Sequence, residues 1–412
     1  MSNYQFVRHT PPKKILRNLA IVVAVILAIV FIVPPVHGAI VGSLDERRAR
    51  NEMLYDLDFI TTVLAENFPY FPMIYRRTGN DIPMMLLEFR EEVADRSRPV
   101  MTVDEFEGAL QYLLLQGDAR GHLSVNRGYA SLRPTSSEDN LHTEIIEEGR
   151  IAFIGVNRMG VHGSRSGNSV MNTCRAIVDP FLQEIGGFEH LILDIRRNSG
   201  GIGGYFEQLI MRPLRHMFLQ DLPVTYIHHL IRSGEYNESR TDELRSRASG
   251  SLFFSGIGEL EELTEAGSDA LLDALGFDYL PEYVLNDLME MDFHFRQRFT
   301  LSLAHIQNPI PFDGRIWLLV DEWTASAAQQ AALLARDIGF ATLVGSTTRG
   351  IASFGFFVEL PNTGIMVRYD PTYTLDRYGR PLEYGILPHY FNREGMDALE
   401  TVLAMIAEMN EY

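Results

Sequence analysis

Ser326 stands where an apolar run, 315–320, gives way to a stretch with helical periodicity. A serine at the start of a helix lies beside backbone N–H groups without an intrahelical acceptor and beside the positive end of the helix dipole. Both features can stabilise the oxyanion that forms during acyl transfer. The same position also suits a serine that merely caps the helix. Neighbouring residues must therefore decide between a nucleophile and a cap.

Four further blocks of residues occur in order around Ser326. They are Gly121-His122, LDIRRNSGG at 193–201, VGSTTRG at 344–350 and GILPH at 385–389. Each block alone is weak evidence, because Gly200-Gly201 is typical of a turn and a single histidine is usually a surface or core residue. Their occurrence together favours a functional site.

In this order and spacing the blocks resemble those of the C-terminal processing peptidases and tricorn-core-like serine peptidases, over roughly residues 50–395. The resemblance implies an α/β fold with a crotonase-like (ClpP-type) layered catalytic core and a small N-terminal helical domain. It also implies a serine peptidase that cleaves a peptide or unfolded protein substrate and needs no cofactor. The same resemblance identifies Ser326 as the nucleophile.

The catalytic base is where this chain departs from the processing peptidases. They carry a lysine in a Gly-Lys-Gly tripeptide, and the aligned residue here is Ile351, which cannot accept a proton. The tricorn-like branch uses a histidine and a glutamate, which align with His122 and Glu383. An imidazole, with an ordinary pKa of about 6.5, is already neutral at physiological pH. We therefore expect His122 as the base and Glu383 as the group that orients it.

The resemblance also assigns the oxyanion hole and a supporting hydroxyl. Backbone N–H groups of Gly200 or Gly201 and of Ala327 would hold the oxyanion. The tricorn branch has a serine directly before its histidine, where this chain has Gly121. If residues 122–125 form a strand, Ser124 projects to the same face as His122 and supplies that hydroxyl. Gln329 and His389 replace a glutamate and an aspartate of the family without an evident reason.

Apolar periodicity predicts the domain organisation. Residues 45–117 are predicted to be helical, with Thr102 as an N-cap. Over 118–412 strands alternate with helices, as in an α/β core. About thirty residues between His122 and the strand at 151 leave no room for the PDZ domain that many relatives have there. An acidic insertion at 233–292 is predicted to be helical, either a lid over the active site or a packing appendage.

The first 38 residues predict export. Four basic residues precede an apolar run at 19–33, with no acidic residue before it. The run is shorter than the about 20 residues that span a bilayer, which favours a cleaved signal peptide, although an uncleaved signal anchor is the alternative. We expect a periplasmic, extracellular or membrane-anchored protein whose catalytic domain lies outside, with membrane contact only through this segment.

Composition excludes several other classes of function. The net charge is −18, and the four basic residues of the first 38 leave −22 on the remainder, so nucleic acid is not an expected partner. Cys174 is the only cysteine, which excludes an intrachain disulfide. No zinc motif occurs, and the Gly-rich segment at 200–204 lacks the ending of a phosphate loop, so no metal or nucleotide is expected.

Two alternative functions remain open at this stage. A non-catalytic protein of the same fold would bind an apolar ligand or a peptide, with Phe354, Phe356 and Phe357 beside the cleft. An acyl-ester hydrolase would use the same serine and histidine on a different substrate.

Overall fold

The computed structural model describes residues 34–117, 122–125, 140–160, 167–215, 225–240, 254–257, 261–263, 267–299, 310–351, 353 and 355–409. Its helices are α1 Pro34–Asn67, α2 Phe71–Thr78, α3 Ile82–Ala94, α4 Val103–Gly117, α5 Gly167–Glu184, α6 Arg212–Arg215, α7 Glu235–Glu238, α8 Gly267–Leu275, α9 Glu282–Leu288, α10 Ala327–Asp337 and α11 Ala398–Met409. Its strands are β1 Leu123–Val125, β2 Leu141–Glu147, β3 Ile151–Val156, β4 His190–Asp194, β5 Thr225–Ile231, β6 Phe254–Ile257, β7 Glu261–Glu262, β8 Phe293–Phe299, β9 Arg315–Val320, β10 Thr342–Gly345, β11 Phe356–Glu359, β12 Met366–Tyr369, β13 Thr372–Asp376 and β14 Tyr390–Phe391. A π-helical turn at Glu207–Met211 and a 3-10 turn at Leu382–Tyr384 complete the elements. The chain is therefore a mixed α/β protein with a helical N-terminal region.

Residues 45–117 are largely helical, as the periodicity predicts, and α1 already begins at Pro34. Thr102 caps α4 in a reciprocal arrangement: its hydroxyl accepts from the Glu105 N–H at 3.2 Å, and the Glu105 carboxylate accepts from the Thr102 N–H at 2.8 Å. Among the described residues no helix is long and apolar enough to cross a membrane. The apolar run at 19–33 lies outside the described residues, so the signal segment stays a prediction.

The central sheet has six strands in the order β14-β10-β9-β4-β3-β2. All neighbours in it are parallel except β2 and β3. Parallel strands need cover on both faces, and β3, β4 and β9 are accordingly almost fully buried. Helices α5 and α10 share the apolar core of one face, and α11 covers the other. Loops after β4 and β9 leave the same edge of this sheet.

Two further sheets carry the rest of the site. One has the order β1-β12-β11, and the other has the order β13-β5-β8-β6, with β7 also pairing with β8. Strands β1 and β12 are antiparallel, and Leu123 pairs with Tyr369. This pairing joins a segment near residue 122 to one near residue 370.

The insertion at 233–292 is only partly helical. Helices α8 and α9 agree with the prediction, but β6 and β7 were not expected; such short strands are stabilised by backbone bonds to β8 rather than by their own pattern. Apolar residues of α8 and α9, including Leu275 and Val284, are buried in one core with the N-terminal helices. The Arg76 guanidinium in α2 donates to Asp287 in α9 at 2.7 Å. These contacts favour a packing role for the described part of the insertion.

Candidate active site

Ser326 occupies a strained turn between β9 and α10. Its backbone has φ 53° and ψ −124°, and its side chain makes no capping bond to the helix. Such a conformation costs an L-residue of the order of 1–3 kcal/mol and is frequent at active sites. A capping serine would have extended backbone and a side-chain bond to the helix. The geometry is instead that of the sharp strand-to-helix turn that exposes a nucleophile.

The loop after β4 packs directly against this turn. The Asn198 carbonyl accepts from the Ala325 N–H at 3.0 Å, and the Asn198 side-chain oxygen accepts from the Gly200 N–H at 3.0 Å. Gly200 has φ 96°, and a Cβ there would lie 2.6 Å from the Cβ of Ser326. Glycine is thus required by both conformation and close approach.

Two backbone N–H groups beside Ser326 make no hydrogen bond within the part of the chain that the structure describes. One belongs to Ala327, the first residue of α10, and the other to Gly201. A Cβ on Gly200 would lie 3.0 Å from the Ala327 nitrogen, so the loop and the helix start converge. The Gly200 N–H, by contrast, is already engaged by Asn198. Of the three expected oxyanion donors, Gly201 and Ala327 are therefore the ones still able to donate.

His122 is buried between two carboxylates. It directly precedes β1, and the pairing of Leu123 with Tyr369 brings it opposite Asp370. Its Nδ1 lies 3.0 Å from the Asp370 Oδ2 with hydrogen-bond geometry, and its Nε2 lies 2.9 Å from the Glu383 Oε2. All three side chains are fully buried. The structure thus brings together His122 and Glu383, which the sequence analysis named, with Asp370, which it did not.

Glu383 also connects the histidine to the serine turn. Its Oε2 accepts from the Ile351 N–H at 2.7 Å, and the neighbouring Gly350 carbonyl accepts from the Ser326 N–H at 3.3 Å. Ile351 has φ 65°, an unusual value for a β-branched residue. The residue at the family's lysine position thus contributes its backbone, bonded to Glu383, rather than a side-chain base.

Tyr70, from the turn before α2, forms a wall of the histidine pocket. Its ring stacks on His122 with the centroids 4.5 Å apart, and its hydroxyl donates to the Thr372 carbonyl at 2.6 Å. The same hydroxyl lies 3.3 Å from the Glu383 Oε1. Burial and the carboxylates of Glu383 and Asp370 raise the pKa of Tyr70 well above its usual value. Tyr70 therefore stays protonated, and its single hydroxyl proton has both the Thr372 carbonyl and Glu383 as acceptors.

Comparison with known proteins decides the class of this site. The family model of peptidase family S41 matches residues 150–391, more than half of the chain. The chain belongs to peptidase family S41. It is accordingly a serine peptidase, a hydrolase. A comparison with curated proteins finds no match.

Solved structures agree with the S41 fold. A putative peptidase from Parabacteroides merdae has a TM-score of 0.51 and 15% identity, over 88% of this chain and 96% of that one. Mature CPAF also has a TM-score of 0.51, at 13% identity, over 83% of this chain and 93% of that one. At such identities the likeness concerns the fold alone.

Gln329 and His389, the unexplained departures of this S41 peptidase from its family, both have structural partners. The Gln329 Oε1 accepts from the Thr348 hydroxyl at 2.6 Å and from the Gly350 N–H at 2.7 Å, and its Nε2 donates to the Leu382 carbonyl at 2.8 Å. The Nδ1 of His389 accepts from the Leu343 N–H at 2.9 Å. Gln329 thus holds the loop with Gly350 against the turn that carries Glu383.

Ser124 does not take the part expected of it in the S41 peptidase. It pairs with Arg368 across β1 and β12 and is half-buried. Within the described residues its hydroxyl bonds neither His122 nor Glu383. The hydroxyl close to Glu383 is that of Tyr70, which lies in the N-terminal helical region. No motif around Tyr70 in the sequence indicates this contact.

Three further observations bear on the sequence predictions for the S41 peptidase. Among the described residues no group of three histidine, cysteine, aspartate or glutamate side chains could hold a metal ion. Phe356 is fully buried in the core rather than lining a cleft, and Phe354 lies outside the described residues. The Ser326 hydroxyl makes no hydrogen bond to any described residue, and therefore none to His122.

Proposed function

We propose that this S41 peptidase is an exported enzyme that hydrolyses peptide bonds with Ser326 as nucleophile, His122 as base and Glu383 as a carboxylate of the same site. The strained turn at Ser326, packed against Gly200, is the observation that carries the proposal. A buried imidazole that contacts two carboxylates supports the choice of base. Ile351 supports this choice further, because it occupies the position of the family's catalytic lysine and its side chain cannot accept a proton.

The reaction follows from these roles. The Ser326 oxygen attacks the peptide carbonyl carbon while its proton passes to His122, and the carbonyl electron pair moves onto oxygen. The protonated imidazole then donates to the leaving amine as the C–N bond breaks. A water molecule attacks the acyl-enzyme in the same manner and releases the acid. No step requires a cofactor.

We assign the oxyanion hole to the N–H groups of Gly201 and Ala327. Each such donor contributes roughly 3 kcal/mol to the transition state in other serine peptidases. Gly200 has a positioning role in this proposal, because its N–H is engaged by Asn198 while its missing side chain leaves room for Ser326.

The finer architecture and location belong to the same proposal. In the six-stranded sheet four of the five pairs of neighbouring strands are parallel, and helices cover both faces. This arrangement supports a crotonase-like (ClpP-type) core. The basic residues and apolar run of the first 38 residues support export, with membrane contact confined to that segment. The substrate is then a peptide or an unfolded protein outside the cytoplasm.

The test is covalent labelling of the full chain with a fluorophosphonate, followed by assay on an unfolded protein substrate. Ser326→Ala should lose both labelling and hydrolysis while its circular dichroism stays unchanged. Ser346→Ala is the matched control, because Ser346 lies in a neighbouring sequence block and bonds Glu322. A folded Ser326→Ala variant that retains labelling or turnover would sink the assignment.

A further inference from the structure

We propose that Asp370, rather than Glu383, is the carboxylate that positions His122, and that Glu383 competes with Ser326 for the other ring nitrogen. This inference rests on the proposed function and deepens it.

The contact between Asp370 and His122 is built into the fold. The register of β1 and β12 sets the two residues opposite each other, and Nδ1 and Oδ2 lie 3.0 Å apart with hydrogen-bond geometry. The Arg368 guanidinium lies 2.6 Å from the Asp370 Oδ1. Arg368 thus places a guanidinium against the Asp370 oxygen that faces away from the histidine.

The ring nitrogen that Asp370 contacts determines its role. A carboxylate that accepts the Nδ1 proton fixes the neutral tautomer whose lone pair is on Nε2. Nε2 is then the atom able to take the serine proton. Asp370 therefore stands where an orienting carboxylate must stand.

Glu383 contacts the wrong nitrogen for that task. Its Oε2 lies 2.9 Å from Nε2, the site that Ser326 needs, as a close ion-pair approach without hydrogen-bond geometry. An imidazole with a carboxylate at each nitrogen is stabilised as imidazolium, which accepts no proton. The Ile351 N–H already donates to Glu383 at 2.7 Å, and the Tyr70 hydroxyl, whose single proton also has the Thr372 carbonyl as acceptor at 2.6 Å, lies 3.3 Å away. Glu383 can thus release Nε2 without losing every partner.

Five groups set the electrostatics around the ring. Asp370 and Glu383 favour the imidazolium, the Arg368 cation opposes it, and Tyr70 and the stacked Tyr373 stay neutral because burial raises the pKa of each well above its usual value. Removal of either carboxylate should therefore move the acid limb of the reaction to lower pH. Only removal of Asp370 should also release the neutral His122 ring from the tautomer that carries its lone pair on Nε2.

The experiment measures the second-order rate of fluorophosphonate inactivation against pH for the full chain. In that reaction the Ser326 oxygen bonds phosphorus, fluoride leaves and the serine proton goes to Nε2. The variants are Asp370→Asn, Asp370→Glu and Glu383→Gln. Asp56→Asn is the matched control, because Asp56 is a fully buried carboxylate that accepts from Asn362 and Thr363 far along the chain from His122.

Asp370→Asn should lower the plateau rate by roughly 10⁴-fold, the loss seen when the orienting aspartate of another serine peptidase is amidated. Asp370→Glu should recover part of that loss. Glu383→Gln should keep the plateau within about tenfold and shift the acid limb to lower pH. Asp56→Asn should change stability but neither limb nor plateau.

Near-normal plateau rates in Asp370→Asn would overturn the inference, as would a larger loss in Glu383→Gln than in Asp370→Asn. If Asp370→Asn does not fold, Asp370→Glu takes its place in the comparison. A larger loss of plateau rate in Glu383→Gln than in Asp370→Glu would then overturn the inference. Failure of the proposed function is a separate result: the wild type would then show no labelling that depends on Ser326.

Discussion

Glu207 offers a quantitative test of the physical reasoning because it is an acid inside an apolar core. It begins the π-helical turn, and three apolar residues of the same turn, Leu209, Ile210 and Met211, are buried with it. Burial raises the pKa of Glu207 from 4.5 to about 7, against a small opposing effect of its backbone hydrogen bond. The perturbation is Glu207→Gln, which keeps the shape and removes the titration.

The sign and size follow from linkage. Below pH 4.5 both the folded and the unfolded chain hold the proton, so no charge is buried and the free energy of unfolding is not reduced. Between pH 4.5 and 7 the unfolded chain releases it while the folded chain retains it, so the free energy of unfolding falls as pH rises and levels off above pH 7. The total is about 3 kcal/mol. Glu207→Gln should therefore stabilise the protein by about 3 kcal/mol at pH 8.5 and by little at pH 4.5.

Urea unfolding at the two pH values, followed by tryptophan fluorescence and circular dichroism, measures the difference. Glu238→Gln is the control, because Glu238 is exposed and its amidation should change neither curve. An equal effect of Glu207→Gln at both pH values would refute the assignment of a neutral, buried acid. Destabilisation at pH 8.5 would show that the carboxylate has a partner in the folded chain.

Three further predictions concern the site and the core. His122→Ala should lower kcat by orders of magnitude without rescue by Ile351→Lys, and near-normal activity would exclude His122 as the base. The wild-type acid limb of kcat/KM should lie at or above the ordinary imidazole pKa of about 6.5, because Asp370 and Glu383 favour the charged ring. Gly200→Ala should abolish fluorophosphonate labelling, since its Cβ meets Ser326, whereas Gly149→Ala, with nothing within 4 Å, should retain it. Burial lowers the pKa of His229 to about 4, so the unfolded chain takes up a proton at a higher pH than the folded chain does. The free energy of unfolding is therefore highest above pH 6.5 and is lower by about 2 kcal/mol at pH 5. Urea titrations should show this loss in the wild type but not in His229→Gln.

The serine side of the site was predictable from the sequence because its determinants are local. An apolar run followed by helical periodicity indicates the turn at Ser326, and Gly200-Gly201 follows the buried strand β4. The strands and helices of the six-stranded sheet follow from the same kind of pattern. The strained backbone at Ser326 and the hydrogen bond of the Gly200 N–H to Asn198 could not be predicted from the sequence and are seen only in the structure.

The histidine side was only half predictable. Asp370 and Tyr70 carry no motif, and they reach His122 through pairings across 248 residues and through packing of the helical region. Short strands such as β6 and β7 were missed for a related reason, since their partner β8 rather than their own sequence stabilises them. Long-range pairing leaves little trace in local periodicity.

The separation of the proposed catalytic groups along the chain has a consequence for biosynthesis. Asp370 follows His122 by 248 residues, which take about 10–50 s to synthesise at 5–20 residues per second. Until β12 emerges and pairs with β1, the imidazole has neither its strand partner nor its carboxylate. A nascent chain that is still passing into another compartment would therefore carry Ser326 without a working base, and proteolysis would begin only after nearly the whole polypeptide has folded.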